Sequence, residues 1–343
     1  MSAMVRSVVH RFAAGLEREV DRRRSRRSPA ETRLVINPYR GFGRGRELFV
    51  HGRVLVEKAI TRATAAEPVW RNLLNAYRRF LSAEVAGMRV VARYQDAVLE
   101  GMTDDEGHFQ IRLEPTQVTE SLWHDVIVEL PGTDIQAKAP VLVPRATATF
   151  GIISDIDDTI VQTGATSLLK MARSVLLQNA ASRLPFEGVA ELYRALHAER
   201  NPIFYVSSSP WNLHDLIEDF IQLQGIPPGP LRLQDWGVDD VKLIYEPHTT
   251  HKLEEIRRIL DYYAGLPFVL IGDSGQHDPE IYLDVIRAYP GRIRAAFIRD
   301  VTHDLRDKAV AQIIADAKSL GVEMLYVGSS AEAMTHAGRL GLV

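Results

Sequence analysis

Residues 150–163 read Phe150-Gly151-Ile152-Ile153-Ser154-Asp155-Ile156-Asp157-Asp158-Thr159-Ile160-Val161-Gln162-Thr163. A short apolar run leads straight into two aspartates two positions apart. In an extended chain alternate side chains share a face, so Asp155 and Asp157 point the same way where a strand gives way to a loop. Two like charges in a protein interior are costly unless something neutralises them. A hard dication such as Mg²⁺ does so with a few carboxylate oxygens and retained waters. One carboxylate can then attack a phosphorus atom while the other moves protons. A polar strand end that merely forms a turn is the plainer reading of the same residues.

Three further segments bear on the choice. Ile203-Phe204-Tyr205-Val206 runs into Ser207-Ser208-Ser209-Pro210-Trp211. Pro210 suits the first position of a helix and Ser209 its N-cap. A helix N-terminus attracts phosphate, so Ser207 Oγ and the following amides, Ser208 included, are candidate phosphate contacts. No Gly-x-Ser-x-Gly elbow surrounds them, which speaks against a serine nucleophile. Lys252 is one of seven lysines among 41 basic residues. It is expected to begin a helix running through Leu253, Ile256, Ile259 and Leu260. A cation there opposes the helix dipole unless it meets an anion, and lysine is a compact point charge suited to phosphate. Finally, Phe268–Ile271 is an apolar strand ending in Gly272-Asp273, with Asp278-Pro279 following. Asp273 would complete a three-carboxylate metal neighbourhood with Asp155 and Asp157. Asp278 would stand behind it, bonded to Lys252 or a metal-bound water, or would be only an N-cap. His277 reads as a loop histidine.

From residue 149 onward, apolar strands at 150–154, 203–207, 268–271 and 293–298 alternate with helical stretches. That pattern predicts a parallel sheet with helices on both faces. Such sheets bind ligands beyond the carboxyl ends of their strands. Asp155, Ser207 and Asp273 each fall at such an end, on three separate strands.

The order Asp-x-Asp-x-Thr, strand-Ser, Lys, Gly-Asp-x-x-x-x-Asp resembles the haloacid dehalogenase (HAD) superfamily of aspartate-nucleophile phosphotransferases. Within it, Ser154–Ile160, Tyr205–Trp211 and Gly272–Tyr282 look like the actin-patch-type phosphatidate phosphatases, as do Arg40-Gly41-Phe42-Gly43 and Gly52-Arg53-Val54 nearer the start. Asp158 stands where many superfamily members have Gly, in agreement with this family. The resemblance implies an α/β, HAD-like, doubly wound (Rossmannoid) domain over 149–343, with a short cap insertion at 163–186. It implies Asp155 as nucleophile, Asp157 as general acid and then base, and Ser207, Ser208 and Lys252 as phosphate-binding residues. Asp155, Asp157 (through its carbonyl) and Asp273 would hold Mg²⁺, with Asp278 and Thr159 behind them. The implied reaction is phosphatidate hydrolysis to diacylglycerol. A phosphatase for a soluble metabolite or protein phosphate is the alternative, as is a lipid- or protein-binding adaptor with a vestigial site.

Residues 29–148 read differently. Segments rich in Val, Ile and aromatics at Thr32–Asn37, Glu47–Glu57, Met88–Tyr94, His108–Leu113, Asp125–Leu130 and Ala137–Val143 are separated by Gly, Pro and Asp clusters. A helix over Val69–Phe80 interrupts them. The expected product is a small antiparallel, sandwich-like β domain. Its turn Thr103-Asp104-Asp105-Glu106-Gly107 reads as an exposed acidic turn. Residues 1–28 predict a basic amphipathic helix, either packed on the protein or lying on an anionic membrane.

The chain has 343 residues, 46% apolar and 25% charged, with a formal net charge of −3. That suits a globular protein with two domains, and gives no overall pull towards nucleic acid. The absence of cysteine excludes disulfides, thiolate metal sites and cysteine nucleophiles. No apolar run is long enough to cross a bilayer, and the start does not read as a signal peptide. The expected location is the cytoplasm, with peripheral membrane contact through residues 1–28.

Overall fold

A computed structural model describes residues 32–58, 83–160, 186–234, 248–301 and 307–343. The expected helices at 1–28 and Val69–Phe80 lie outside them, as does the insertion at 163–186 except for Phe186.

The first half is a single eight-stranded sheet. Its strands are β1 (Thr32–Arg44), β2 (Glu47–Lys58), β3 (Ala83–Glu84), β4 (Arg89–Tyr94), β5 (Ala97–Met102), β6 (His108–Leu113), β7 (Trp123–Glu129) and β8 (Gln136–Leu142). The order is β3-β2-β1-β8-β7-β4-β5, with β6 pairing back onto β2. Most pairs are antiparallel, as alternating apolar positions dictate when one face meets a core. The exception is β1 with β8, parallel at Gly41↔Val141 and Phe42↔Leu142. It falls where β1 shifts register against β2, between Tyr39 and Phe42. Val50, Val54, Val90, Phe109, Ile111, Val126, Val128 and Val141 fill the core. Gly107 closes the acidic turn at φ 79°.

The second half is a six-stranded, wholly parallel sheet. In chain order it runs β9 (Gly151–Ser154), α1 (Val189–His197), β10 (Ile203–Pro210), α2 (His214–Leu223), β11 (Leu231–Gln234), α3 (His248–Tyr262), β12 (Phe268–Asp273), α4 (Asp278–Ala288), β13 (Ile293–Arg299), α5 (Asp307–Ser319), β14 (Glu323–Val327) and α6 (Ser330–Arg339). Strand order is β11-β10-β9-β12-β13-β14. Alternation sends neighbouring side chains to opposite faces. Ile152, Tyr205 and Val269 pack with α1, α2 and α6, whereas Ile153, Phe204 and Leu270 pack with α3, α4 and α5. All side chains of β9 and β12 are buried, which is why both read as unbroken apolar runs. The chain builds outward from β9 through β10 to β11, then returns to the other side of β9 for β12. The crevice between the two directions lies at the carboxyl ends of β9, β10 and β12.

The halves share an interface centred on β1. Tyr39 packs 4.0 Å from the His214 ring and stacks 5.4 Å from Trp211. Asn37 donates to both oxygens of Asp215 at 2.9 and 3.1 Å, and Arg40 pairs with Glu218. On the other side Tyr263 donates to the Gly43 carbonyl at 3.1 Å and Tyr262 to Glu47 at 2.9 Å. Among the described residues no helix is long and apolar enough to span a membrane.

Candidate active site

Strand ends assemble the site. β9 delivers Asp155 and Asp157, β10 delivers Ser207 and Ser209, and β12 delivers Asp273. α3 brings Lys252 and α4 brings Asp278. Asp155, Lys252, Asp273 and Asp278 are each no more than 2% exposed. The backbone locks the ends of β9 and β12 together, since the Asp155 amide donates to the Ile271 carbonyl at 2.9 Å.

Lys252 is the counterion. Its Nζ lies 2.9 Å from Asp155 Oδ1 and donates to Asp278 Oδ1 at 2.5 Å. The first contact is close enough for an ion pair but poorly aligned for a hydrogen bond, leaving Asp155 Oδ1 without one. Burial alone would lower the lysine's pKa. The charges of Asp155 and Asp278 outweigh it and hold the ammonium above its ordinary range. Thr159 donates from Oγ1 to Asp155 Oδ2 at 3.2 Å.

Asp157 is held by the serines of β10. Its Oδ2 accepts from Ser207 Oγ at 3.0 Å and from Ser209 Oγ at 3.1 Å. Burial raises its pKa, against the two serine hydrogen bonds and the field of Lys252. Asp155 is raised well above the usual carboxylate range by burial, with Lys252 opposing and Asp278, Asp273 and Asp157 adding to the rise. Burial and the neighbouring Asp278 lift Asp273 to about 7, while Lys252 and the amides of Gln276 and Gly275 pull it down. Among the described residues four carboxylates therefore share one local lysine, and the shortage of positive charge there is the dominant electrostatic fact of the crevice.

Carboxylate oxygens of Asp155, Asp273 and Asp278 lie within 4.8 Å of one another. Asp278 is engaged at both oxygens: Oδ1 takes Lys252, and Oδ2 accepts the Asp273 amide at 3.1 Å. Asp273 Oδ2 is buried with no hydrogen-bond partner. All-oxygen donors carrying an orphaned anionic atom fit a hard dication.

The expected site residues thus come together, with some differences in role. Asp157's side chain meets the serines rather than the three converging carboxylates. Ser207 Oγ accepts the Ser209 amide at 3.0 Å. Ser209 is not an N-cap: β10 extends through Pro210, a short 3₁₀ turn follows, and α2 begins at His214. Its hydroxyl is spent on Asp157 instead. Ser208 lies between the two serines, half-buried. Lys252 sits one turn inside α3 rather than at its start, because the helix begins at His248. His277 precedes α4 and is exposed.

Two contributors escaped the sequence reading. A Cβ on Gly272 would lie 2.3 Å from Asp278 Oδ2, so only glycine lets Asp278 close against the strand end. Arg299, at the end of β13, donates from Nε to the Thr159 carbonyl at 3.1 Å. Its signal was a charged residue closing an apolar strand, the same signal that picked out Asp273. Asp158, where many members of the resembled superfamily have Gly, adopts φ 54°, a left-handed conformation that aspartate tolerates better than most residues.

Residues 150–300 match the family model described as Phosphatidate phosphatase APP1, catalytic domain. The chain is 31% identical over 244 residues to Phosphatidate phosphatase APP1 of Saccharomyces cerevisiae, an alignment covering 66% of this chain and 40% of that protein. It is 30% identical over 157 residues to an uncharacterized protein of Schizosaccharomyces pombe, covering 45% of this chain and 26% of that one. It thus spans well under half the length of either relative. A solved carbohydrate acetylesterase from Xanthomonas citri aligns over 87% of this chain and 68% of its own, at 9% identity and a TM-score of 0.33. A likeness that slight carries no argument. The part of the chain that holds the acidic crevice is therefore similar to a phosphatase catalytic domain of the phosphatidate phosphatase APP1 type.

Proposed function

We propose that the chain is a Mg²⁺-dependent phosphomonoester hydrolase of the haloacid dehalogenase type, with phosphatidate as its substrate. The observation that carries the reaction class is the division of labour between the two aspartates of one strand end. Asp155 lies against a lysine and beside Asp273, while Asp157, two residues on, is turned into two serine hydroxyls. Support for the lipid comes from the similarity of residues 150–300 to a phosphatidate phosphatase catalytic domain.

In this reading an Asp155 oxygen attacks phosphorus and the bond from phosphorus to the ester oxygen breaks. The departing oxygen takes its proton from Asp157, whose raised pKa suits a proton donor. Asp157 then removes a proton from water. That water's oxygen attacks the aspartyl-phosphate, releasing phosphate and restoring Asp155. Lys252 and Ser207 hold the phosphoryl oxygens, because a loose phosphoryl transition state mainly needs positioning and charge neutralisation. Asp155 and Asp273, with the Asp157 carbonyl, would hold Mg²⁺, and Asp278 would orient the group from behind. When bound, the ion supplies the positive charge that the four carboxylates lack.

The test is a panel of phosphate esters that includes phosphatidate in mixed micelles and a soluble chromogenic ester. Chelation with EDTA should stop turnover and Mg²⁺ should restore it. A folded Asp155→Asn protein should be inactive, and Asp157→Asn should lose roughly 10²–10⁴-fold. Activity that survives exhaustive chelation, or a working Asp155→Asn variant, refutes the mechanism. A soluble ester cleaved while phosphatidate is not refutes the lipid alone. Peripheral membrane contact through residues 1–28 belongs to the same proposal. Their removal should lower turnover on anionic vesicles and spare it on the soluble ester.

A further inference from the structure

We infer that Arg299 is a positioning residue for the nucleophile, acting on Asp155 through Thr159. The inference rests on the reading of Asp155 given above. Arg299 ends β13, in register beside Asp273 of β12, and is only 7% exposed. Among the described residues no carboxylate pairs with it. A buried guanidinium so placed must spend its donors on neutral groups. Nε takes the Thr159 carbonyl at 3.1 Å, Nη2 takes Ser330 Oγ at 2.9 Å, and the Phe186 ring lies 4.0 Å from Cζ. The cation is thus braced on two sides by α6 and Phe186, and its Nε holds the end of the nucleophile loop.

That contact leads directly to the reacting group. The residue whose carbonyl Arg299 holds is the residue whose hydroxyl donates to Asp155 Oδ2 at 3.2 Å. The loop between them is also held by the Ile160 amide, which donates to the Ile156 carbonyl at 3.0 Å, and by Asp157 on its two serines; Arg299 adds the contact at the Thr159 carbonyl. The loop contains Asp158 at φ 54°, a left-handed turn position that sets the direction in which Thr159 leaves it. Arg299 anchors the next residue of that turn, Thr159, from a rigid strand. Without it the buried Thr159 carbonyl loses its side-chain donor, and a small shift of Thr159 weakens the hydrogen bond on the Asp155 oxygen that Lys252 does not hold. Arg299 touches no reacting atom, so its effect belongs in turnover rather than in substrate binding.

The experiment is a double-mutant cycle in the full chain. It uses Arg299→Met, Thr159→Val and the pair, assayed on the phosphate ester that the wild-type protein cleaves fastest. Arg299→Met should lower kcat by roughly 10–100-fold, the scale of a small misplacement in an active site, with KM little changed. Thr159→Val should do much the same. The double variant should lose little more than either single one, because both break one chain of contacts. Arg299→Lys, which keeps the charge and one donor, should recover part of the loss; if Arg299→Met does not fold, it takes that place in the cycle. Wild-type kcat in a folded Arg299 variant overturns the inference. So do losses that multiply in the double variant, since Arg299 would then act independently of Thr159. An active Asp155→Asn protein would instead refute the nucleophile assignment, whatever the cycle shows.

Discussion

Lys252 stands between Asp155 and Asp278, and both depend on it for charge compensation. Removing one partner of a buried ion pair costs about 3–5 kcal/mol, because the remaining charge stays buried. Lys252→Met should therefore destabilise the metal-free protein by about that amount at pH 8, and by less at pH 5, where the aspartates can take up protons. Urea denaturation at the two pH values measures it. An equal loss at both would mean that the lysine acts by packing alone. Asp273 gives a second pH signature. Its folded pKa of about 7 lies above the ordinary 3.8. A raised carboxyl contributes stability that is complete below about 4 and lost as pH rises through about 7. In EDTA the protein should thus lose stability across that window. A bound dication needs the ionised form, so the rise in Tm produced by Mg²⁺ should be larger at pH 8 than at pH 5.5. Thermal melts with and without Mg²⁺ decide it, and a rise that shrinks with pH contradicts the placement of the cation at Asp273.

Strand ends position Asp155, Asp157, Ser207 and Asp273, and the N-terminal parts of α3 and α4 bring Lys252 and Asp278 to them. β12 shows how tightly. Gly272 and Asp273 close the strand, and α4 begins five residues later with Asp278 folded back onto them. The Asp278 carboxylate reaches the Asp273 amide only because Gly272 has no side chain. Gly272→Ala should push Asp278 away and release Lys252 from its 2.5 Å contact. Overpacking of this kind costs about 1–3 kcal/mol. The kinetic cost should be the larger effect, with kcat falling at least tenfold while the far-UV spectrum stays native. Activity close to wild type would show that the Asp278 contact is dispensable. The end of β10 works through side chains instead. Ser207 and Ser209 alternate along the extended strand, so both hydroxyls fall on the face that meets Asp157.

At the scale of the molecule, the β half is fastened to the sheet edge that carries the serine segment. Tyr39 is 4% exposed and packs on Trp211 and His214. His51 adds an edge contact to Tyr39, and burial drives its pKa down to about 3, so it remains neutral. Tyr39→Ala removes a large buried ring at the joint between the halves and should cost about 3–5 kcal/mol. If the joint makes the halves cooperate, tryptophan fluorescence and far-UV circular dichroism should shift together in urea. Separate transitions in the wild type would show that each half folds alone, with β1 serving only as a clasp.

The acidic crevice was largely legible in the sequence, because its parts come from strand ends. An apolar run that stops at Asp155, Ser207 or Asp273 marks a sheet edge by local pattern alone, and parallel strands put all such ends on one side. Local pattern also separated the β half from the alternating half. It missed β3, β5, β11 and β14, which all lie at sheet edges and so lack a full apolar signal. It gave Ser209 to a cap because capping chemistry and carboxylate binding use the same hydroxyl. What each group touches depends on contacts between residues distant in the chain. Lys252 reaches Asp278 across 26 positions, Ser207 reaches Asp157 across 50, and Arg299 reaches Thr159 across 140. No periodicity encodes those distances. Residue types at strand ends were determined by the sequence; the pairing of each charge with its partner was decided only when the sheet brought the ends together, since a buried charge is tolerable only beside the group that balances it.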